Sequence, residues 1–159
     1  MTIATLPTRA ASLNHVSFSG RVDPAEFNDL MAFYADNGAV AARRDKLLVV
    51  RSDADLSALT HEVLTSIATR LCAAVSQAQM PIIVRTAIVS LAPAQRAVVE
   101  AWRTMVAGEP GLLTEVAAFE SLHAATAWIG LTAEETDDVV LRQAEQTAAL
   151  VASSVANAR

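Results

Sequence analysis

Ile82-Ile83-Val84-Arg85-Thr86-Ala87-Ile88-Val89 is the stretch whose reading decides the fold. Its β-branched residues run on with little polar–apolar alternation. A strand covered on both faces has this pattern, because a polar row on either side would be buried. Working outward, Leu47-Leu48-Val49-Val50 closes a second such run at Lys46–Val50. Leu13–Phe18 and Leu112–Phe119 supply two more, carried by Leu13, Val16 and Phe18 and by Leu113, Val116 and Phe119. The spacing therefore predicts four strands, the third of them central.

A helical pattern follows each run. Asp23-Pro24 opens the first, with Asp23 as N-cap and Pro24 at the first helical position, and Phe27, Leu30, Met31 and Tyr34 on one face. Asn37-Gly38 ends it. Leu56, Leu59, Val63, Ile67, Leu71, Ala74 and Ala78 form the stripe of the second, which Pro81 stops. Pro93 begins the third, whose buried side is Val98, Val99, Trp102, Met105 and Val106; Gly108, Pro110 and Gly111 break it. Ser121 starts a fourth through Leu122, Ala125 and Trp128, ended by Gly130. Strand followed by helix, four times over, is the signature of an α/β domain with parallel pairing and right-handed crossovers. Residues 1–11 read as a loose arm, 12–130 as the domain, and 131–159 as a terminal helix.

That last helix opens on a capping box, Thr132 with Glu135. Its apolar positions are Val139, Val140, Ala144, Thr147, Leu150, Val151 and Val155, and its acidic residues Glu134, Glu135, Asp137 and Asp138 favour the N-terminal end of the helix dipole. Such an element either packs across its own domain or lies against another subunit.

Composition narrows the function. The net charge is −5 and the twelve basic residues are scattered, the densest group (Arg43, Arg44, Lys46) being interrupted by Asp45. A nucleic-acid binder needs a basic stripe, so none is expected as partner. Aromatics make up 4% of the chain, which leaves little to stack on bases or sugars. Cys72, the single cysteine, sits in a helical pattern and reads as a small buried or half-buried apolar residue. No run reaches the roughly 18 apolar residues of a membrane span, and the first residues lack a secretion signal, so a cytoplasmic location is expected.

The stretch Arg85-Thr86-Ala87-Ile88-Val89, a helix containing Trp102, then Glu115-Val116-Ala117-Ala118-Phe119 and Ser121-Leu122-x-Ala124-Ala125-x-Ala127-Trp128-Ile129-Gly130, resembles the C-terminal half of bacterial STAS-like (SpoIIAA-like) proteins. Leu47–Arg51 followed by Asp53 is similar to their second strand and acidic turn. The resemblance covers about residues 13–130. It implies a superhelix of four β-α turns on a four-stranded, mainly parallel sheet, to which the terminal helix is added. The same architecture is shared with lipid-carrying Sec14-type domains. It also implies largely non-enzymatic roles in partner switching and regulation. In the family's regulators a phosphorylated serine sits in an Asp-Ser-x-Gly-like turn. The nearest segment here, Ser52-Asp53-Ala54-Asp55-Leu56-Ser57, has no glycine, and its aspartates would repel an added phosphate.

Chemistry-bearing residues are sparse. His15, His61 and His123 read as surface or edge residues, and His61-Glu62 lacks the second histidine of a zinc helix. No Gly-x-Ser-x-Gly elbow occurs, and the five glycines are too dispersed for a phosphate cradle. Asp53/Asp55 and Asp137/Asp138 are explained as caps and dipole partners. No catalytic, metal or cofactor site is expected, and the chain is not expected to be an enzyme. The expected contact site is the turn Arg51, Ser52, Asp53, Asp55 and Ser57. Arg51 and Arg85, ending or interrupting buried strands, are candidates to meet an anion. Phe27, Tyr34, Trp102 and Trp128 are candidates to frame a small apolar pocket. The expectation is thus a regulatory or protein-interaction module, homodimeric, whose partner is another protein. The alternative is a carrier or sensor of a small apolar or lipid-like ligand held between helices and sheet.

Overall fold

The computed structural model describes residues 2–36, 43–76, 84–108 and 114–157. Its sheet has five strands in chain order: β1 (Ile3–Leu6), β2 (Leu13–Phe18), β3 (Asp45–Val50), β4 (Val84–Ser90) and β5 (Thr114–Phe119). β2 to β5 are parallel, and β1 runs antiparallel to β2 with Ile3 opposite Phe18. The helices are α1 (Glu26–Asp36), α2 (His61–Ser76), α3 (Arg96–Ala107), α4 (Leu122–Ile129) and α5 (Ala133–Asn157), with a short 3-10 turn at Pro93–Gln95. The α/β class therefore holds, but the sheet has five strands where four were expected.

The extra strand comes from the segment read as a loose arm. Glu26, in the first turn of α1, accepts from Thr2 N (2.6 Å), Thr2 Oγ1 (2.8 Å) and Ile3 N (3.0 Å). Desolvation pushes its pKa up, but the donors at Ile3 and Thr2 overrule that, and the carboxyl sits below its ordinary range. One carboxylate thus ties the strand to the helix, and Ile3 is buried beneath it.

The second helix begins later than its stripe. Leu56 and Leu59 are buried but lie in turns ahead of α2, with Leu59 N bonded to Leu56 O (2.9 Å). Thr60 Oγ1 then accepts from Val63 N (3.4 Å) and starts the helix. The first helix likewise starts at Glu26, after a turn in which Asp23 Oδ1 accepts from Ala25 N (2.8 Å). Asn37-Gly38, Ala78, Pro81, Pro110 and Gly111 fall outside the described residues. At the other end, Ser121 caps α4 through Ala124 N, and Gly130 closes it at φ 91°, a left-handed geometry suited to glycine.

Parallel strands laid down in chain order, with right-handed crossovers, put every crossover helix on one face. α1, α2 and α3 accordingly share one core with Val16, Phe18, Val50 and Ile88. The opposite face, with Leu13, Leu47, Val49, Ala87 and Val89, is covered by α4 and by Val139 of α5. The capping box is present: Glu135 N donates to Thr132 Oγ1 (3.2 Å) and Thr132 N to Glu135 Oε2 (2.9 Å). The buried row of α5 is Asp138, Val139 and Gln143, whereas Ala144, Val151 and Val155 of the expected stripe are exposed.

Glu26→Ala should release β1. The expected loss is on the order of 1 kcal/mol, since part-buried donors lose their acceptor. Amide exchange at Ile3 and Ser19 should accelerate while that of β3 and β4 stays slow. Unchanged protection at Ile3 would show that the carboxylate does not hold the strand.

Candidate functional site

Strand alternation gives the sheet two different faces. On the side of α1–α3, β3 offers Lys46, Leu48 and Val50, β4 offers Val84, Thr86 and Ile88, and β5 offers Thr114 and Val116. Above them stand Phe27, Leu30 and Met31 of α1, Leu64, Ile67 and Leu71 of α2, and Val98, Val99 and Trp102 of α3. Among these packed residues lies a partly open cavity of about 140 Å³. Apart from Lys46, Thr86 and Thr114, every described residue of the lining is apolar.

The three polar residues gather at one end, near the starts of the parallel strands. Lys46 and Thr86 are register partners, as are Val84 and Thr114. Thr114 Oγ1 donates to Val84 O (2.8 Å), so the 3.3 Å contact between the two hydroxyls is a bond from Thr86 to Thr114. Half-buried Lys46 donates from Nζ to Arg44 O (3.3 Å). Burial lowers its pKa to about 8, against the opposing pull of the Asp45 charge. The site therefore combines an apolar chamber with an ammonium group at its end.

Of the residues expected to frame a pocket, Phe27 and Trp102 line this cavity. Tyr34 belongs to α1, and its side chain lies outside what is described. Trp128 is on the opposite side of the sheet, packed on Phe119 with ring centroids 5.6 Å apart. Arg85 is there too, and does not face the cavity. Its Nη2 donates to Asp45 Oδ2 (3.1 Å), its Nη1 to Trp128 O (3.2 Å), and its backbone N–H to Asp45 Oδ1 (2.8 Å). The alternation of β4 explains this: Arg85 and Thr86 are neighbours, so they emerge on opposite faces.

The turn Arg51–Ser57 is occupied with internal bonds. Arg51, its side chain 12% exposed, donates to Asp53 Oδ1 (2.9 Å) and to Thr147 Oγ1 of α5. Gln95 Nε2 donates to Arg51 O and to Ala54 O (3.0 Å). Asp55 Oδ1 accepts from Ser57 N (2.9 Å), which chiefly holds its carboxyl below the usual range, and Asp55 N donates to Gly20 O (2.7 Å). Ser52 and Ser57 are exposed on its rim. The segment works as a clasp joining three loops and α5.

His15 corrects the expectation of a surface residue: it is fully buried in β2 on the α5 side. Its Nε2 meets Gln143 Oε1 at 3.2 Å, and Gln143 Nε2 donates to Ser17 Oγ (3.1 Å). Nδ1 has no hydrogen-bond partner among the described residues. Burial lowers the pKa to about 4, with Gln143 and the Asp138 charge opposing. The ring is therefore neutral, and the geometry calls for an Nε2–H tautomer. Among the described residues no three His, Cys, Asp or Glu side chains converge as metal ligands, and no helix is long and apolar enough to cross a membrane. Comparison with family models, with curated proteins and with solved structures gives no match.

The site was only half legible. A lysine beginning an apolar strand and two threonines within strands were the available signals, and period-2 alternation would have put them on one face. Gln143 in the buried row of α5 carried no apolar signal at all.

Because the folded state resists protonating His15, its contribution to stability is complete above pH 6.5 and is lost as pH falls toward about 4. The expected loss is about 1.4 kcal/mol per pH unit, about 3 kcal/mol in all. Urea unfolding across this range should show that slope in the native chain and a flatter one in His15→Met, whatever its absolute stability. Equal slopes would remove His15 as the cause.

Proposed function

We propose that this chain is a binding protein for a small apolar molecule held between the sheet and helices α1–α3. The carrying observation is the cavity of about 140 Å³ with its apolar lining. Native interiors are packed to nearly crystalline density and rarely leave such space, so an apolar ligand filling it would supply contacts that its walls lack. A cavity of about 150 Å³ lined by similar side chains accepts benzene, which sets the scale of the occupant. The resemblance to STAS-like proteins, with the architecture they share with lipid carriers, is compatible with such a role.

Native mass spectrometry of the freshly purified chain should reveal a co-purifying mass, and 1-hexanol or benzene should raise Tm. At ten times Kd the gain is about 1.4 kcal/mol, roughly 3–5 °C for a domain of this size. Trp102 lines the cavity and should report binding by its emission, in a Trp128→Phe background that silences the opposite face. Ile88→Phe, which fills the chamber, should abolish both effects. The absence of a bound mass and of any Tm shift would sink the proposal.

The interaction reading finds its support on α5 rather than on the Arg51–Ser57 turn. Leu141, Ala144, Ala148, Val151 and Val155 recur at alternating spacings of three and four, the seam of a paired coiled coil, and all are exposed. Five acidic residues lie between Glu134 and Glu145, whereas residues 147–157 carry no charge. Antiparallel pairing with a second copy keeps the two acidic halves apart, so a homodimer through α5 is the proposed assembly. Light scattering at about 100 µM should give a dimer for the native chain and a monomer for the Val151→Glu/Val155→Glu variant. A monomeric native chain would dismiss this assembly.

A further inference from the structure

On the binding reading above, we infer that the cavity is blind at the carboxyl-terminal ends of the strands. Leu56 and Ile88, at this floor, select guests with a bare hydrocarbon end and set its length.

Lining residues gather where β2, β3 and β4 end. Phe18 and Val50 are register partners and the last residues of β2 and β3, and Ile88 lies two residues before the end of β4. Leu56 and Leu59 come from the turns after β3, and Val99 from the first turn of α3. Their exposures run only from 3% for Ile88 to 8% for Leu59, so this end is shut to solvent. Behind them the chain closes further. Arg51 N donates to Phe18 O (3.1 Å), Leu91 N to Val50 O (3.2 Å), and buried Gln95 donates from Nε2 to Arg51 O and Ala54 O. The chamber is partly open, so its mouth lies elsewhere.

A closed apolar floor sorts guests by what their leading end carries. The side chains here are hydrocarbon, and the backbone carbonyls of Phe18, Val50 and Leu56 are already bonded. A hydroxyl pressed against this floor would lose water and find no partner. A methyl end loses nothing of that kind. Each methylene added before the chain touches the floor buries more apolar surface, worth about fourfold in affinity. Methylenes added after that stay at the mouth and contribute little. Ile88 belongs to the sheet and Leu56 to the turns that cover it, so trimming either one deepens the floor from a different layer.

Calorimetric titration of the full chain with 1,2-hexanediol and 1,6-hexanediol separates orientation from general apolarity, because the two isomers share one composition. The first keeps a bare hydrocarbon end, and the second carries a hydroxyl at both ends. The 1,2-isomer should bind at least about tenfold more tightly. From 1-butanol to 1-octanol, affinity should climb about fourfold per carbon and then level off. Leu56→Ala should move that plateau to an alcohol longer by about two carbons, and Ile88→Val by about one. Leu48→Ala, one pleat back on the same face of β3, widens a side wall and should leave the plateau in place. Equal affinity for the two diols overturns the floor inference while apolar binding of 1-hexanol stands. So does a plateau that neither floor variant moves, or that Leu48→Ala moves as far. If no alcohol binds, both readings fall. The two diols on the native chain decide the matter even if the variants do not fold.

Discussion

Everything in this fold depends on a topological constraint: four parallel strands follow one another across the sheet without reversing direction. Each right-handed crossover must then deliver its helix to the same side. Three helices crowd one face, and the other face, with Leu47, Val49, Ala87 and Val89, would be left in water. The chain past β5 has to cover it. α4 is eight residues long, and α5, at 25 residues, does the remainder. A helix of that length extends about 37 Å, while six-residue strands extend about 20 Å. α5 is therefore longer than the strands it covers, and Val151 and Val155 toward its far end are exposed.

The two faces are held by different physics. Under α5 the contacts are polar and specific: His15 with Gln143 and Ser17, Arg51 with Thr147, and Asp138 with Arg9 N (2.8 Å). A long helix laid on a flat apolar surface can slide by a turn with little loss. Buried hydrogen bonds at fixed positions oppose that, because a shift would strand each donor and acceptor. On the face of α1–α3 the contacts are almost wholly apolar, hence tolerant of the imperfect fit that leaves a chamber. Position-specific polar bonds thus fix the helix on one side, and spare volume is left on the other.

Much of this was legible in the chain itself. Unbroken runs such as Leu47–Val50 announce a doubly covered strand, and Thr132 with Glu135 announces the start of α5, because both signals are local. What escaped was set by partners distant in sequence. Ile3 pairs with Phe18 because Glu26 holds it there, and nothing in the first six residues shows that. Arg85 and Trp128 looked like ligand-facing residues, but the parity of β4 and the return of α4 sent them to the structural face. His15 looked like an edge residue because the fifth strand and α5, which bury it, were respectively unread and unplaced.

The same topology bears on where a ligand can sit. Open α/β sheets usually bind at the carboxyl ends of the strands, in the crevice opened where strand order reverses. Here β2 to β5 never reverse, so no such crevice forms. The carboxyl ends are also filled: Arg51 N bonds to Phe18 O (3.1 Å), Leu91 N to Val50 O (3.2 Å), and Gln95 ties Arg51 to Ala54. Space remains between the sheet and its three crossover helices, and its polar lining residues, Lys46, Thr86 and Thr114, lie toward the opposite, amino-terminal end of the strands. A site inside the helix–sheet layer favours molecules that are mostly hydrocarbon, since polar atoms placed there would lose water without finding partners. The proposed apolar occupant follows from that geometry more than from any single side chain.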